Sequence, residues 1–302
     1  MLHRSITAVR LFGKGAARAL FAARSKHYIG KDMSSASQPP IGGKVLVFDS
    51  GMGGLTVARE IMALAPHLNV DYAADSGFFP YGDKSDEALR ERLPQVARAL
   101  VEAAAPDVFV IACNTASTLA LDAVRAAIGI PVVGTVPAIK PAGARSETGV
   151  IGLLATPGTV RRAYTAKLIA DFASHARVLM HGSVELVHLA ERQAAGEAVA
   201  LEAFRAAQAP LFAQSGGEHI DTVVLACTHF PLIRGELAAT VPHPVTFIDS
   251  GEAIARQTLR VLGEGRLVQR GPQRVWLTSD VAGHPRLIEV CRRFGFGHVE
   301  QV

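Results

Sequence analysis

Residues 44–65 read KVLVFDSGMGGLTVAREIMALA, and the fold can be read outward from them. The first five are a β-branched and apolar run of strand length. Leu55, Ala58, Ile61, Met62 and Ala65 then recur at helical spacing until Pro66 ends the pattern. A short strand leading through Asp49-Ser50-Gly51 into an amphipathic helix opens an alternating α/β chain.

The same rhythm continues downstream. VDYAA (70–74) reads as a strand. Ser85 opens a long helix with Asp86 and Glu87 in its first turn, near the positive end of the helix dipole. VFVIA (108–112) is a strand, STLALDAVRAAI (117–128) a helix closed by Gly129, and PVVGTV (131–136) another strand. GTVPAIKPAGARSETG (134–149), with two prolines and three glycines, marks a boundary. A second series follows: GVIGLLA, a helix around 158–173, RVLM, an Ala-rich helical stretch over roughly 184–213, and TVVLA. A helix from Pro231, VTFI, a helix around 252–262, RVWLT and a last helix from Pro285 complete it. Short apolar strands alternating with helices predict parallel sheets covered on both faces. The fold expected is therefore α/β, with two similar domains and mainly parallel sheets: 44–137 plus 249–302 in the first, 138–248 in the second, and an extension at 1–43.

Composition narrows the function classes. The 302 residues are 49% hydrophobic and 19% charged, which supports a sizeable core and excludes wholesale disorder. Three cysteines exclude a disulfide scaffold and suit a reducing cytoplasm. No apolar run reaches the roughly 20 residues of a membrane span. The net charge of +4 is local: residues 1–43 carry seven Lys and Arg against Asp32 alone, which leaves −2 on the remainder. A nucleic-acid partner is not expected from such a body. The Arg-rich, acid-poor extension has the composition of a transit peptide, or else lies upstream of a true start at Met33.

Two cysteines carry the chemical signal. VFVIACNTA (108–116) and VVLACTHFP (223–231) each place Ala-Cys after a strand with Asn or Thr next. VFDSGMGG (47–54) and FIDSGEA (247–253) likewise repeat Asp-Ser-Gly after a strand. If these echoes are real, they imply two related halves facing each other. Ligands of parallel α/β sheets bind beyond the carboxyl ends of strands, where Asp49, Asp75, Cys113 and Cys227 fall. Cys291, on a helix with Leu287 and Ile288, reads as a small core residue. The SGMGG turn lacks the Lys-Ser/Thr of a P-loop and the spacing of a dinucleotide fingerprint; its glycines suit close approach by a ligand or backbone.

Three chemistries suit this set. Cys113, Cys227, His229 and an Asp could bind zinc, although Cys-x-His with distant partners is a poor zinc signature. One Cys-His pair could act in acyl transfer, which leaves the other cysteine idle. Or two thiols could flank one carbon acid, one removing a proton while the other delivers one to the far face. That scheme needs strong stabilisation of a developing carbanion, because a free thiol near pKa 8.5 is a far weaker base than the reaction requires.

FDSGMGGLTV, ADSGFFPYGDKS, ACNTAS, LATPGTV and LACTHFPL, in this order, resemble the glutamate racemase family over about 44–302. The resemblance implies a cofactor-independent enzyme with two α/β domains and its active site in the cleft between them. Such an enzyme interconverts L- and D-glutamate, supplies D-glutamate for bacterial peptidoglycan in the cytoplasm, and forms a homodimer. It implies that Cys113 takes the proton from D-glutamate and Cys227 from L-glutamate, assisted by Asp49 and His229. Ser50, Tyr81, Gly82, Asn114, Thr115 and Thr228 match substrate-holding positions, as do Asp49 and His229, and Thr156 and Thr159 are second-tier candidates for the substrate carboxylate. Glu191, in HGSVELVHLAE, is matched only loosely to a family glutamate and stays outside the expected site. Other readings are an aspartate racemase of the same superfamily and an amino-acid-binding regulator without turnover.

Overall fold

The computed structural model describes residues 43–263 and 271–302. The expectation for the N-terminal extension falls outside them, Gly43 apart. A first series runs β1 (Lys44–Asp49), α1 (Leu55–Leu64), β2 (Asn69–Ala74), α2 (Asp86–Ala104), β3 (Val108–Ile111), α3 (Asn114–Ala127) and β4 (Val132–Gly134). Then come α4 (Ile139–Arg145), β5 (Val150–Ala155), α5 (Pro157–Arg161), α6 (Ala163–Phe172) and β6 (Arg177–Gly182). They are followed by α7 (Glu185–Ala194), α8 (Leu201–Phe212), β7 (Thr222–Ala226), α9 (Arg234–Thr240) and β8 (Thr246–Ile248). The last described elements are α10 (Gly251–Leu262), β9 (Arg274–Leu277), α11 (Pro285–Arg293) and β10 (His298–Gln301).

The strands form two sheets, ordered β10-β9-β2-β1-β3-β4 and β6-β5-β7-β8. Every pairing among the described strands is parallel. The core of the first, β2-β1-β3-β4, has the same order as the whole of the second. In this correspondence β1 matches β5 and β3 matches β7. Strand order reverses between β1 and β3, and again between β5 and β7, so each sheet has its switch-point crevice at the equivalent place.

The central strands are apolar throughout because both their faces are covered. Val45 and Val47 of β1 enter one core cluster with α1 and α10 residues, while Leu46 and Phe48 enter another with α2 and α3 residues. Strand β7 divides in the same way, with Val223 and Leu225 on one face and Val224 and Ala226 on the other. Full burial of one such aliphatic side chain contributes about 1.5–3 kcal/mol. Helix α2 starts where Ser85 accepts a hydrogen bond from the Ala88 amide at 3.2 Å, and it buries Leu89, Leu93, Val96, Ala97 and Leu100.

Local structure departs from the sequence expectation at four places. The helix expected around 158–173 is two, because Arg162 is extended (φ −75°, ψ 138°). The long stretch over 184–213 is also two helices, with Gly196 at φ +89° between them, a conformation that favours glycine. Within GTVPAIKPAGARSETG lies α4, whose Ile139 and Ala142 pack with Ile151 and Leu153 of β5. Strand β10, a mostly exposed polar edge strand, gives no apolar alternation to read.

The chain passes from the first sheet to the second between β4 and α4, and returns between β8 and α10. The two crossings are joined where Ser250 Oγ donates to the Val136 carbonyl at 2.6 Å.

Candidate active site

Strand ends set the positions of the reactive side chains. Asp49 is the last residue of β1, and Cys113 follows β3 as the residue before α3, so the two flank the first switch-point crevice. Thr156 follows β5 and Cys227 follows β7, so they flank the second. All four line one cavity, together with Ser50, Tyr81, Gly82, Asn114, Thr115, Thr228 and His229. The ten residues expected at the site and the second-tier Thr156 are thus gathered in one place, whereas Thr159 and Asp75 do not line the cavity and lie behind Thr156 and Tyr81. Pro80, Val184 and Val187 also line it. The cavity volume is about 20 Å³.

The Ala-Cys echo falls on equivalent strands, whereas the Asp-Ser-Gly echo does not. Asp49 ends β1, but Asp249 follows β8. Both nevertheless make the same turn: Asp49 Oδ1 accepts from the Gly51 amide at 3.1 Å and Asp249 Oδ1 from the Gly251 amide at 2.9 Å.

The glycines of SGMGG admit the second half of the molecule. A Cβ on Gly53 would lie 2.5 Å from Thr228 Oγ1 and 2.6 Å from His229 Nδ1. A Cβ on Gly51 would lie 2.7 Å from the Phe79 ring and 2.8 Å from Glu191 Oε1. Thr228 and His229 thus rest directly on bare backbone of the β1–α1 turn. Thr228 Oγ1 donates to Asp49 Oδ2 at 2.8 Å, which ties the halves together beside the cavity.

The two thiols have different surroundings. Cys113 is buried, and burial is the main reason its pKa is pushed well up; the Asp49 charge adds to this, against amide hydrogen bonds from Ala116 and Thr115. Burial also pushes Asp49 up, against the charge of His229 and hydrogen bonds from Gly51, Thr228 and Ser50. On the other side, Cys227 Sγ lies 3.9 Å from His229 Nδ1, and His229 Nε2 lies 2.6 Å from Glu191 Oε1. Burial alone would lower the His229 pKa. The hydrogen bonds and charges of Cys227 and Glu191 outweigh it and hold the imidazole well above its usual value.

Glu191 is the residue that sequence reading left out. The signal was present in helical spacing: Val184 and Val187 line the cavity and Glu191 lies a further turn along α7, on the same side. Its Oε1 also accepts from the Met52 amide at 3.2 Å.

The polar lining is partly engaged. Thr115 and Thr156 hydroxyls lie 2.9 Å apart, and Thr156 caps α5 and reaches Thr159 at 3.1 Å. Tyr81 donates its hydroxyl to Asp75 at 2.6 Å, and Asp75 also takes two hydrogen bonds from Arg92, each 2.6 Å. Asn114 lines the cavity, and its Oδ1 is buried with no hydrogen-bond partner among the described residues. Among the described residues no three His, Cys, Asp or Glu side chains converge to hold a metal ion. No described helix is long and apolar enough to cross a membrane.

Comparison with known proteins follows the same lines. The sequence model of the Asp/Glu/Hydantoin racemase family matches residues 56–258. A glutamate racemase of Salmonella gallinarum is 44% identical over 265 residues, covering 85% of this chain and 91% of its own. The structure of Escherichia coli glutamate racemase, solved with L-glutamate and the activator UDP-MurNAc-Ala, is 43% identical with a TM-score of 0.80. It covers 86% of this chain and 97% of that one. Glutamate racemase from Francisella tularensis, solved with D-glutamate, is 25% identical with a TM-score of 0.71, covering 86% and 97%. The chain belongs to the glutamate racemase family of isomerases, within the Asp/Glu/Hydantoin racemases.

Proposed function

We propose that this chain interconverts L- and D-glutamate by moving one proton off, and another onto, the α-carbon, with Cys227 and Cys113 on opposite faces. The observation that carries the reading is the pair of thiols at equivalent strand ends of two sheets, both lining one cavity.

From L-glutamate, the Cys227 thiolate takes the α-proton, leaving Cys227 as thiol and the substrate as a carbanion. Cys113 gives its thiol proton to the opposite face, leaving D-glutamate and a Cys113 thiolate. No electrons are gained or lost, and proton exchange through solvent resets the two sulfurs. Burial and the Asp49 charge favour a protonated Cys113. The His229 ring, holding its proton above the usual range, can balance a negative sulfur 3.9 Å away. Asp49 and His229 therefore assist opposite thiols, and Glu191 positions His229.

Substrate recognition is assigned to the remaining lining groups. The Asn114 carbonyl oxygen suits the substrate ammonium. Hydroxyls of Ser50, Thr115, Thr156 and Thr228 and the backbone around Gly82 suit its carboxylates, with Thr159 behind Thr156. The Tyr81 ring walls the site. We assign the two sheets to separate domains, 44–137 plus 249–302 and 138–248, and the role of a cytoplasmic homodimer supplying D-glutamate for peptidoglycan, as the family resemblance implies.

The test is to incubate the purified chain with L-glutamate in heavy water, without added cofactor, following optical rotation and α-deuteration. Rotation should decay to zero with deuterium entering both enantiomers. Turnover of aspartate but not glutamate would reassign the substrate, and loss of turnover with a chelator would revive a metal.

A further inference from the structure

A second, larger cleft lies on the outer side of the three segments that close the substrate cavity. Its volume is about 510 Å³, and Lys84, Arg90, Arg161 and Arg162 line it. The carboxylate lining it, Asp86, is already paired with Arg162 Nη2 at 2.7 Å. The lining therefore carries a net charge of +3. Lys84 sits 5.2 Å over the Phe78 ring and Arg90 donates to the Leu119 carbonyl at 3.2 Å, but neither meets an acid among the described residues. Arg161 is exposed with neither a hydrogen bond nor an ion pair among them. Arg162 is buried, donates to the Thr115 carbonyl and to Thr118, and keeps its Nε–H buried without an acceptor.

The cleft adjoins the substrate cavity. Gly82, Thr115 and Thr156 line the cavity, whereas Lys84, Thr118 and Gly158, two or three residues further on, line the cleft. The partition is thin: a Cβ on Gly82 would touch Thr156 Cγ2 at 3.3 Å, and Thr115 and Thr156 bridge it by their hydroxyls. These three segments form the wall of the cavity on the basic side.

We propose that this cleft is a docking vestibule for the carboxylate of the incoming amino-acid anion, holding it outside the wall before it enters the cavity. The inference rests on the function proposed above, since glutamate carries a net charge of −1 near neutral pH. A +3 lining within about one Debye length concentrates such an anion, and clefts of this kind raise encounter by roughly 10–10³-fold at low salt.

The test measures kcat and KM for glutamate from about 0.02 to about 0.5 M salt. It compares the natural chain with Arg161→Gln, with Arg161→Gln combined with Lys84→Gln, and with Arg161→Lys. The natural chain should show a KM that climbs with salt. The double variant should show a KM raised about 5-fold at low salt, a nearly flat salt profile and kcat within about 2-fold. Arg161→Lys should behave like the natural chain, because the charge and not the guanidinium shape is required. Equal salt slopes in the natural chain and the double variant would overturn the vestibule while leaving the racemase reading intact. No turnover of glutamate by the natural chain would overturn both.

Discussion

Gly53→Ala tests how closely the two halves must meet. The new Cβ would stand 2.5 Å from Thr228 Oγ1 and 2.6 Å from His229 Nδ1. Ordinary contact begins near 3.4 Å, so these side chains must retreat by about 1 Å. Neither is the loose end of a long side chain, since both are buried and hydrogen-bonded. Overpacking of this kind costs about 1–3 kcal/mol of stability, which a chain of this size survives. The catalytic cost is larger: a displacement of about 1 Å in a positioned group lowers kcat/KM by about 10²-fold. On the proposed mechanism the damage falls more heavily on the Cys227 side, because His229 lies beside Cys227 itself whereas Thr228 reaches the Cys113 side only through Asp49. Urea unfolding gives the stability term, and α-proton exchange in heavy water, followed separately for each enantiomer, gives the chemistry. Exchange into D-glutamate, begun at Cys113, should outlast exchange into L-glutamate. A folded variant with natural activity, or with both exchanges slowed equally, would refute the argument that bare backbone at Gly53 seats the Cys227 side.

Further outcomes follow from the same geometry. Cys113→Ala should abolish racemisation yet still exchange the α-proton of L-glutamate, and Cys227→Ala should do the converse; proton magnetic resonance in heavy water separates the two. The raised His229 pKa makes folding stability pH-dependent in a known direction: the folded chain holds this proton more tightly, so its contribution is complete below about pH 6.5 and is lost as pH rises through the raised value. Glu191→Gln removes one cause of the shift and should flatten that decline in urea titrations at a series of pH values. Arg92→Met strips the paired donors from the fully buried Asp75 and should cost about 2 kcal/mol, discounted because Arg92 is one-third exposed. Thermal unfolding measures that loss, and a raised KM would report Tyr81 losing its fixed position.

The alternating fold was legible from short runs such as KVLVF and TVVLA, since strands buried on both faces are apolar throughout. The site was legible because its residues cluster at strand ends in short motifs. Glu191 escaped because its helix brings it to His229 across 38 residues of sequence, and only its spacing from Val187 hints at that. The breaks at Arg162 and Gly196 escaped for different reasons. Helical propensity runs through Arg162 with no local breaker to read, whereas Gly196 is itself a stop signal that the alanine-rich sequence around it masked.

The matching order of β2-β1-β3-β4 and β6-β5-β7-β8 has a consequence for handedness. A tetrahedral carbon placed between corresponding points of two like frameworks shows one face to each. Exchanging its hydrogen from one face to the other then resembles exchanging the frameworks, so the scaffold treats left- and right-handed forms nearly alike. What distinguishes them is the unlike company kept by the two sulfurs, a carboxylate near one and an imidazole beside the other. On the proposed mechanism, preference for the direction of travel lies in those neighbours, and alteration of either should bias individual rate constants while the equilibrium between mirror images stays at unity.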